Sequence, residues 1–329
     1  MAREFLMLVE ESSFGTPVTT PTLGTQAIYI RLDDGNAFSM RAKPKIYNIM
    51  HGGGLAIKTI QGSDVTMVAG TLKTKLCYSQ ASFLFNWATT RINTAQTAPF
   101  TTTEPAGDLV SMSVYHAIQR SDGTYKRTQY PGTKVAKLSL NTTAENQIVD
   151  FSLDLVAQKK LGNTFDPGPP GDPTSTIFPA PALESSYPTD LVTFTHAAGG
   201  LTIGGTTRTM FGELAFEMTN ALDARTYESR WVQIIRSLGR DSSLTVKNLY
   251  VPSPDDRSTY EIQTAQSATL LFTNGTHTIT LGFEGNNQFN SVDDDLPLDK
   301  VYEQQFVLQN QWDPAALSGV GQDFLFSYS

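Results

Sequence analysis

The sequence predicts a mainly β protein organised as two tandem β-rich halves, and three observations carry that prediction. β-Branched and aromatic residues recur along all 329 residues, while the Ala/Glu/Lys/Leu signature of a helical protein is absent. Several runs alternate apolar and polar residues at period two, as strands with one buried face do. A proline- and glycine-rich stretch, 161–190, interrupts the pattern near the middle, where proline excludes both a helix and a central strand.

The elements follow in order. Residues 1–24, with their Thr/Pro/Gly-rich part from Ser12 to Gly24, are expected to form an extended arm. The first β-domain is expected over 25–160. In it Asp64–Tyr78 reads as a long strand. Ser79 then offers an N-cap for a short helix, with Phe83, Leu84 and Trp87 on one face. Ser121-Asp122-Gly123 marks a hairpin between Leu109–Gln119 and Thr124–Tyr130. Val135–Asn141 and Ile148–Ala157 close this half. In the second of these Phe151, Leu153 and Leu155 alternate with Asp150, Ser152 and Asp154, a half-buried strand with an acidic outer face.

Residues 161–190 read as an arm or linker, but Ile177, Phe178 and Leu183 predict that part of it packs against something. The second β-domain is expected over 191–329. Leu214, Phe216 and Met218 alternate with Glu213, Ala215 and Glu217. Tyr227–Leu238 fits a helix or a strand, and Ser242–Val251 fits a strand. Ser253-Pro254-Asp255-Asp256 predicts a helix running to about Ala265. Asn274-Gly275 between Ala268–Thr273 and Thr276–Phe283 predicts a type I′ hairpin. Tyr302–Gln309 and Phe324–Tyr328 read as closing strands. Each half thus reads as strand, short helix, hairpin and further strands, which suggests one small domain used twice.

Composition narrows the function. Charged residues are 17% of the chain, below the roughly 25% of soluble domains. Polar uncharged residues take their place and suit broad hydrogen-bonded surfaces. A net charge of −8 and a pI near 5.0 exclude a protein that grips nucleic acid through a basic face. The single Cys77 excludes an internal disulfide and reads as a small buried side chain. Five consecutive apolar residues before Glu10 are too few for a signal-peptide core, and no run reaches the ~20 residues of a membrane span, so synthesis and folding are expected in a cytoplasm.

No catalytic, cofactor-binding or metal-binding residue emerges. Histidines 51, 116, 196 and 277 stand apart from metal-ligand spacing, and no nucleophile elbow or phosphate loop is present. His51-Gly52-Gly53-Gly54 lacks the lysine of a phosphate cradle. Asp293-Asp294-Asp295 lacks the spacing of a calcium loop and reads as a solvated acidic loop.

Three segments carry a resemblance. Glu11-Ser12-Ser13-Phe14-Gly15-Thr16-Pro17 is similar to the Glu-x-x-aromatic-Gly-Thr opening of tail tube (major tail) proteins of long, non-contractile-tailed phages. Tyr130-Pro131-Gly132-Thr133-Lys134-Val135-Ala136-Lys137-Leu138-Ser139-Leu140, followed by Val149–Val156, resembles their Gly-x-Lys-Val-x-x-Leu-x-Leu strand pair. Gly239-Arg240 ahead of a Thr/Val strand resembles their second half.

The resemblance implies two tandem tail-tube-like β-sandwich or barrel domains, each with a short α-helix, and a structural, non-enzymatic virion protein. Its main partner would be itself. Three two-domain subunits would form a pseudo-sixfold ring, or six subunits a ring of single domains, and stacked rings would form a tail tube. Double-stranded DNA would pass transiently through a negatively lined lumen during ejection. The tape measure protein and tail-end proteins would be further partners, with no membrane insertion. Candidate lumen-facing acids are Asp150, Asp154, Glu213 and Glu217, although the same sheet face could meet outer solvent. Candidate inter-subunit arm residues are Phe14, Asp166, Pro170, Ile177, Phe178 and Leu183, in segments expected to order against neighbouring subunits. Two other readings remain open: a neck, tail-completion or head-decoration protein, and a carbohydrate-binding β-sandwich.

Overall fold

The computed structural model describes residues 4–18, 21–22, 26–30, 32, 38–50, 57–89, 100–103, 109–119, 121–122, 124–166, 189–196, 199–209, 211–225, 231–249, 260–261, 264–295, 303–309 and 324–328. The mainly β expectation holds: the described elements are strands apart from the helix α1, Tyr78–Thr89, and a helical turn at Tyr260 and Glu261.

One long antiparallel sheet organises the molecule. Its order is β3 (Phe38–Met50), β4 (Ile57–Lys75), β8 (Asp150–Ala157), β7 (Tyr125–Thr143), β13 (Phe211–Arg225), β14 (Ile234–Leu249), β17 (Glu303–Gln309) and β16 (Thr278–Asp295). The first four strands belong to the first half of the chain and the last four to the second. The two quartets repeat one connectivity, β3-β4-β8-β7 against β13-β14-β17-β16. The repetition extends to a β-bulge, which falls between Val135 and Lys137 in β7 and between Phe289 and Ser291 in β16.

Strands β7 and β16 each leave this sheet at their N-terminal ends and enter a second layer. In the first half that layer runs β2 (Ala27–Ile30), β1 (Glu4–Glu10), β6 (Met112–Gln119), β7 and β9 (Leu161–Asp166). In the second half β16 pairs with β15 (Gln266–Thr273) and β18 (Phe324–Tyr328). The short strands β10 (Thr193–Phe194) and β11 (Leu201–Ile203) border β15, and β12 (Thr206–Arg208) follows β11. Strand β5 (Phe100–Thr103) crosses from the first half to pair with β18. Gly132 sits within the turn of β7 between layers at φ +63°, and a Cβ there would meet the Gln158 side chain at 2.7 Å.

A single large core fills the space between the layers and spans both halves. It takes Phe38, Met40, Leu138, Leu140, Phe151 and Leu153 from the first half and Leu214, Phe216, Leu244 and Phe306 from the second. Burying a side chain of this size contributes about 1.5–3 kcal/mol. Helix α1 is buried from Gln80 to Thr89, so its apolar residues do not form the single stripe expected of a surface helix. Ser79 lies in its first turn. The cap comes from across the chain, where the Asp190 carboxylate accepts the Ser79 N–H at 2.8 Å and the Ser79 hydroxyl at 2.9 Å.

Several local expectations change. The expected N-terminal arm contains a central strand, because Phe5, Leu6, Met7, Leu8 and Val9 are apolar towards both faces and β1 is paired on both edges by β2 and β6. Residues 161–166 of the expected linker form β9 against β7. Asp293-Asp294-Asp295 ends strand β16, paired with Gln305, Gln304 and Glu303, and is no loop. Trp231 forms a bridge and β14 begins at Ile234, which resolves Tyr227–Leu238 as extended over its described part. In the β15–β16 hairpin Thr273 pairs with Thr278, so Gly275 and Thr276 are the central residues. Gly275, at φ +87°, is the first of them, as in a type II′ turn, while the Asn274 side chain accepts the N–H groups of Thr276 and His277. Most of the helix expected over Ser253–Ala265, and the His51 glycine run, lie outside the described residues.

Candidate functional site

The long sheet has one face on the core and one open face, and on β8 from Asp150 to Leu155 and on β13 from Glu213 to Asn220 the less buried residues of the open face alternate with buried ones. On β8 the open positions are Asp150, Ser152 and Asp154. On β13 they include Glu213, Ala215, Glu217 and Thr219. All four acids expected from the sequence therefore share one surface, although they lie in different halves. The strands that join them are β7 and β13, paired from Thr143↔Glu213 to Lys137↔Thr219.

This surface is charge-mixed. Lys75 pairs with Asp150 across β4 and β8. Lys137 reaches Glu217 across the two halves at 2.8 Å, and it stands directly opposite Asp154 on its other side. Lys247 stands opposite Glu213. These lysines escaped sequence reading because each neighbours its carboxylate only through the sheet. Ser, Thr, Asn and Gln fill most of the positions between the charges, at Ser39, Thr71, Asn141, Ser243, Thr245, Gln305 and Gln309 among others.

The joint between the halves is braced beneath this surface. Asn220 of β13 donates from its side-chain amide to the carbonyls of Ala88 and Val135, both at 3.0 Å. Arg240 of β14 donates to Asn220 Oδ1 at 2.8 Å and to the Thr89 carbonyl at 2.7 Å. The last carbonyls of α1 thus receive an amide and a cation from the other half, which suits the negative end of the helix dipole. Buried Lys134 donates to the Ile235 carbonyl at 2.7 Å, with its ammonium 5.4 Å from the centre of the Phe14 ring.

The two sequence segments richest in resemblance meet at the same joint. Buried Glu11 accepts the N–H of Gly15 at 2.9 Å, the hydroxyl of Ser113 at 2.6 Å and the N–H of Gly132 at 2.8 Å. Phe14 is half-buried and packs beside Val156, Val232 and Ile235 of its own chain. Asp166 ends β9 opposite Tyr125. Pro170, Ile177, Phe178 and Leu183 lie outside the described residues.

The outer borders of the long sheet are β3 and the C-terminal part of β16, and among the described residues neither carries a further strand. Such edges present unpaired backbone donors and acceptors. Among the described residues no cluster of His, Cys, Asp and Glu could hold a metal ion, and no helix is long and apolar enough to cross a membrane. Trp87 is fully buried, with its N–H on the Thr133 carbonyl, and the half-buried Trp231 packs against the core.

Among curated proteins the chain has no sequence match. The profile of a family described as phage tail tube protein matches residues 1–299. With nine-tenths of its length matched and a β architecture built by joining strand edges, the chain belongs to the phage tail tube protein family.

Proposed function

We propose that copies of this chain join head to tail through β3 and β16 into a ring of three, that such rings stack into the tail tube, and that the open face of the long sheet lines the lumen. One observation carries this reading: the β7–β13 joint. Two units of the same topology are already fused edge to edge inside one chain, and the same kind of edge remains at each end. Contacts between unlike surfaces close into a ring when the rotation per step divides a full turn. Three chains would then supply six repeats.

Duplex DNA passes the wall during ejection in this reading. Lys75, Lys137 and Lys247 each face a carboxylate on the sheet, while Lys73 faces Ser152, so passing phosphates meet cations interspersed with acids. The tape measure protein occupies the lumen before DNA, and tail-end proteins close the tube at its ends. The proline-rich stretch beyond Asp166 serves as an arm between subunits. Assembly takes place in the host bacterial cytoplasm.

Negative-stain electron microscopy of the purified protein tests this. Rings or tubes with three-fold order and a central hole are expected. A chain that stays a monomer by sedimentation at every concentration and ionic strength counts against it.

A further inference from the structure

We infer that β16 of one copy pairs antiparallel with β3 of the next in the register that sets Asp293 opposite Arg41. This rests on the ring reading above and specifies its joint.

The template is the joint inside the chain. The matched bulges make Ala136 of β7 equivalent to Asn290 of β16, which aligns Val135 with Phe289, Leu138 with Val292 and Ser139 with Asp293. Carrying the registers across β8 and β17, then β4 and β14, aligns Phe38 with Leu214, Met40 with Phe216 and Arg41 with Glu217. Burial agrees with this alignment. Phe38, Met40, Leu214 and Phe216 are all buried, whereas Arg41 and Glu217 are both exposed. Within the chain Ser139 pairs with Glu217, Asn141 with Ala215 and Lys137 with Thr219. Replacing each residue by its equivalent sets Asp293 opposite Arg41, Asp295 opposite Ser39 and Ser291 opposite Lys43.

Backbone pairings alone fix this register, and it brings opposite charges together. The facing segments carry Arg41 and Lys43 on β3 and three aspartates, 293–295, on β16. At the internal joint Glu217, the equivalent of Arg41, stands opposite the uncharged Ser139 and reaches the diagonal Lys137, whose equivalent is Ser291; a directly opposed charge pair is therefore particular to the joint between copies. Two β16 edges meeting each other would oppose aspartate to aspartate, and two β3 edges would oppose cation to cation. Like charges directly across a strand pair are destabilising, so charge selects head-to-tail joining over self-pairing.

Disulfide trapping in assembled tubes tests the register. Arg41→Cys with Asp293→Cys should cross-link neighbouring copies on mild oxidation, with more than about ten-fold the yield of Arg41→Cys with Val292→Cys, whose partner position belongs to the opposite face. Cys77 is fully buried and does not compete. In a second arm, Arg41→Asp should block tube formation and Arg41→Asp with Asp293→Arg should restore it; Arg41 is exposed, and sedimentation of the single variant verifies a folded monomer. Tubes that form normally but trap no 41–293 cross-link, or that trap the 41–292 pair equally well, would overturn the register and leave the ring intact. An unmodified chain that makes no rings at all would remove both.

Discussion

The Glu11 carboxylate accepts the backbone N–H of Gly132, 121 residues away, at 2.8 Å. The same oxygen takes the Ser113 hydroxyl and the other takes the Gly15 N–H, so one buried side chain ties the N-terminal segment to the corner of β7. Glu11→Ala leaves these donors without an acceptor. Stability to urea should fall by about 3 kcal/mol, with a smaller loss for Glu11→Gln, which keeps an acceptor oxygen.

The Asn220 and Arg240 pair predicts a coupled loss. Each holds α1 to the second half, and Arg240 also holds Asn220 in place. Asn220→Ala should cost about 2 kcal/mol of stability. The double variant with Arg240→Ala should cost less than the sum of the singles by about 1 kcal/mol, since the residues share one network. Chemical denaturation of the four proteins measures the difference.

Reversing acids on the open face tests its place in the tube. Asp150→Lys with Glu213→Lys leaves Lys75 and Lys247 beside new lysines. If this face meets DNA, genome ejection should slow several-fold at low salt, with the delay fading as salt screens the attraction. Unchanged ejection at low salt would place the face elsewhere.

Alkaline pH should weaken the fold. Burial raises the phenols of Tyr29, Tyr115 and Tyr130 to about 12, above their ordinary value of 10.0. Tyr115 also donates to the Val18 carbonyl at 2.9 Å. A group whose folded value is raised adds stability below its unfolded value and loses it as pH rises through the folded one. Denaturation midpoints should therefore drop between about pH 10 and 12, in step with the phenolate absorbance of the unfolding chain.

Strand content, the acidic face of β8 and the alternation on β13 were legible because period two shows directly in Asp150–Leu155 and Glu213–Met218. The strand β1 was not, since a strand buried on both faces has no alternation and Phe5–Val9 reads only as a short apolar run. The cap of α1 was hidden for another reason: Asp190 is 111 residues from Ser79. The same holds for the lysines of the open face. The repeat itself survives in connectivity and in the bulges at Ala136 and Asn290 far more clearly than in residue identity.

The joint between β7 and β13 has an entropic consequence. Because a peptide chain runs between its two edges, they meet without diffusing together, at the high local concentration of tethered partners. A wall assembled from such chains would have to find only every second joint by collision, and each arrival would surrender translational freedom once for two repeats. Covalent fusion thereby halves the encounters needed to close a circle.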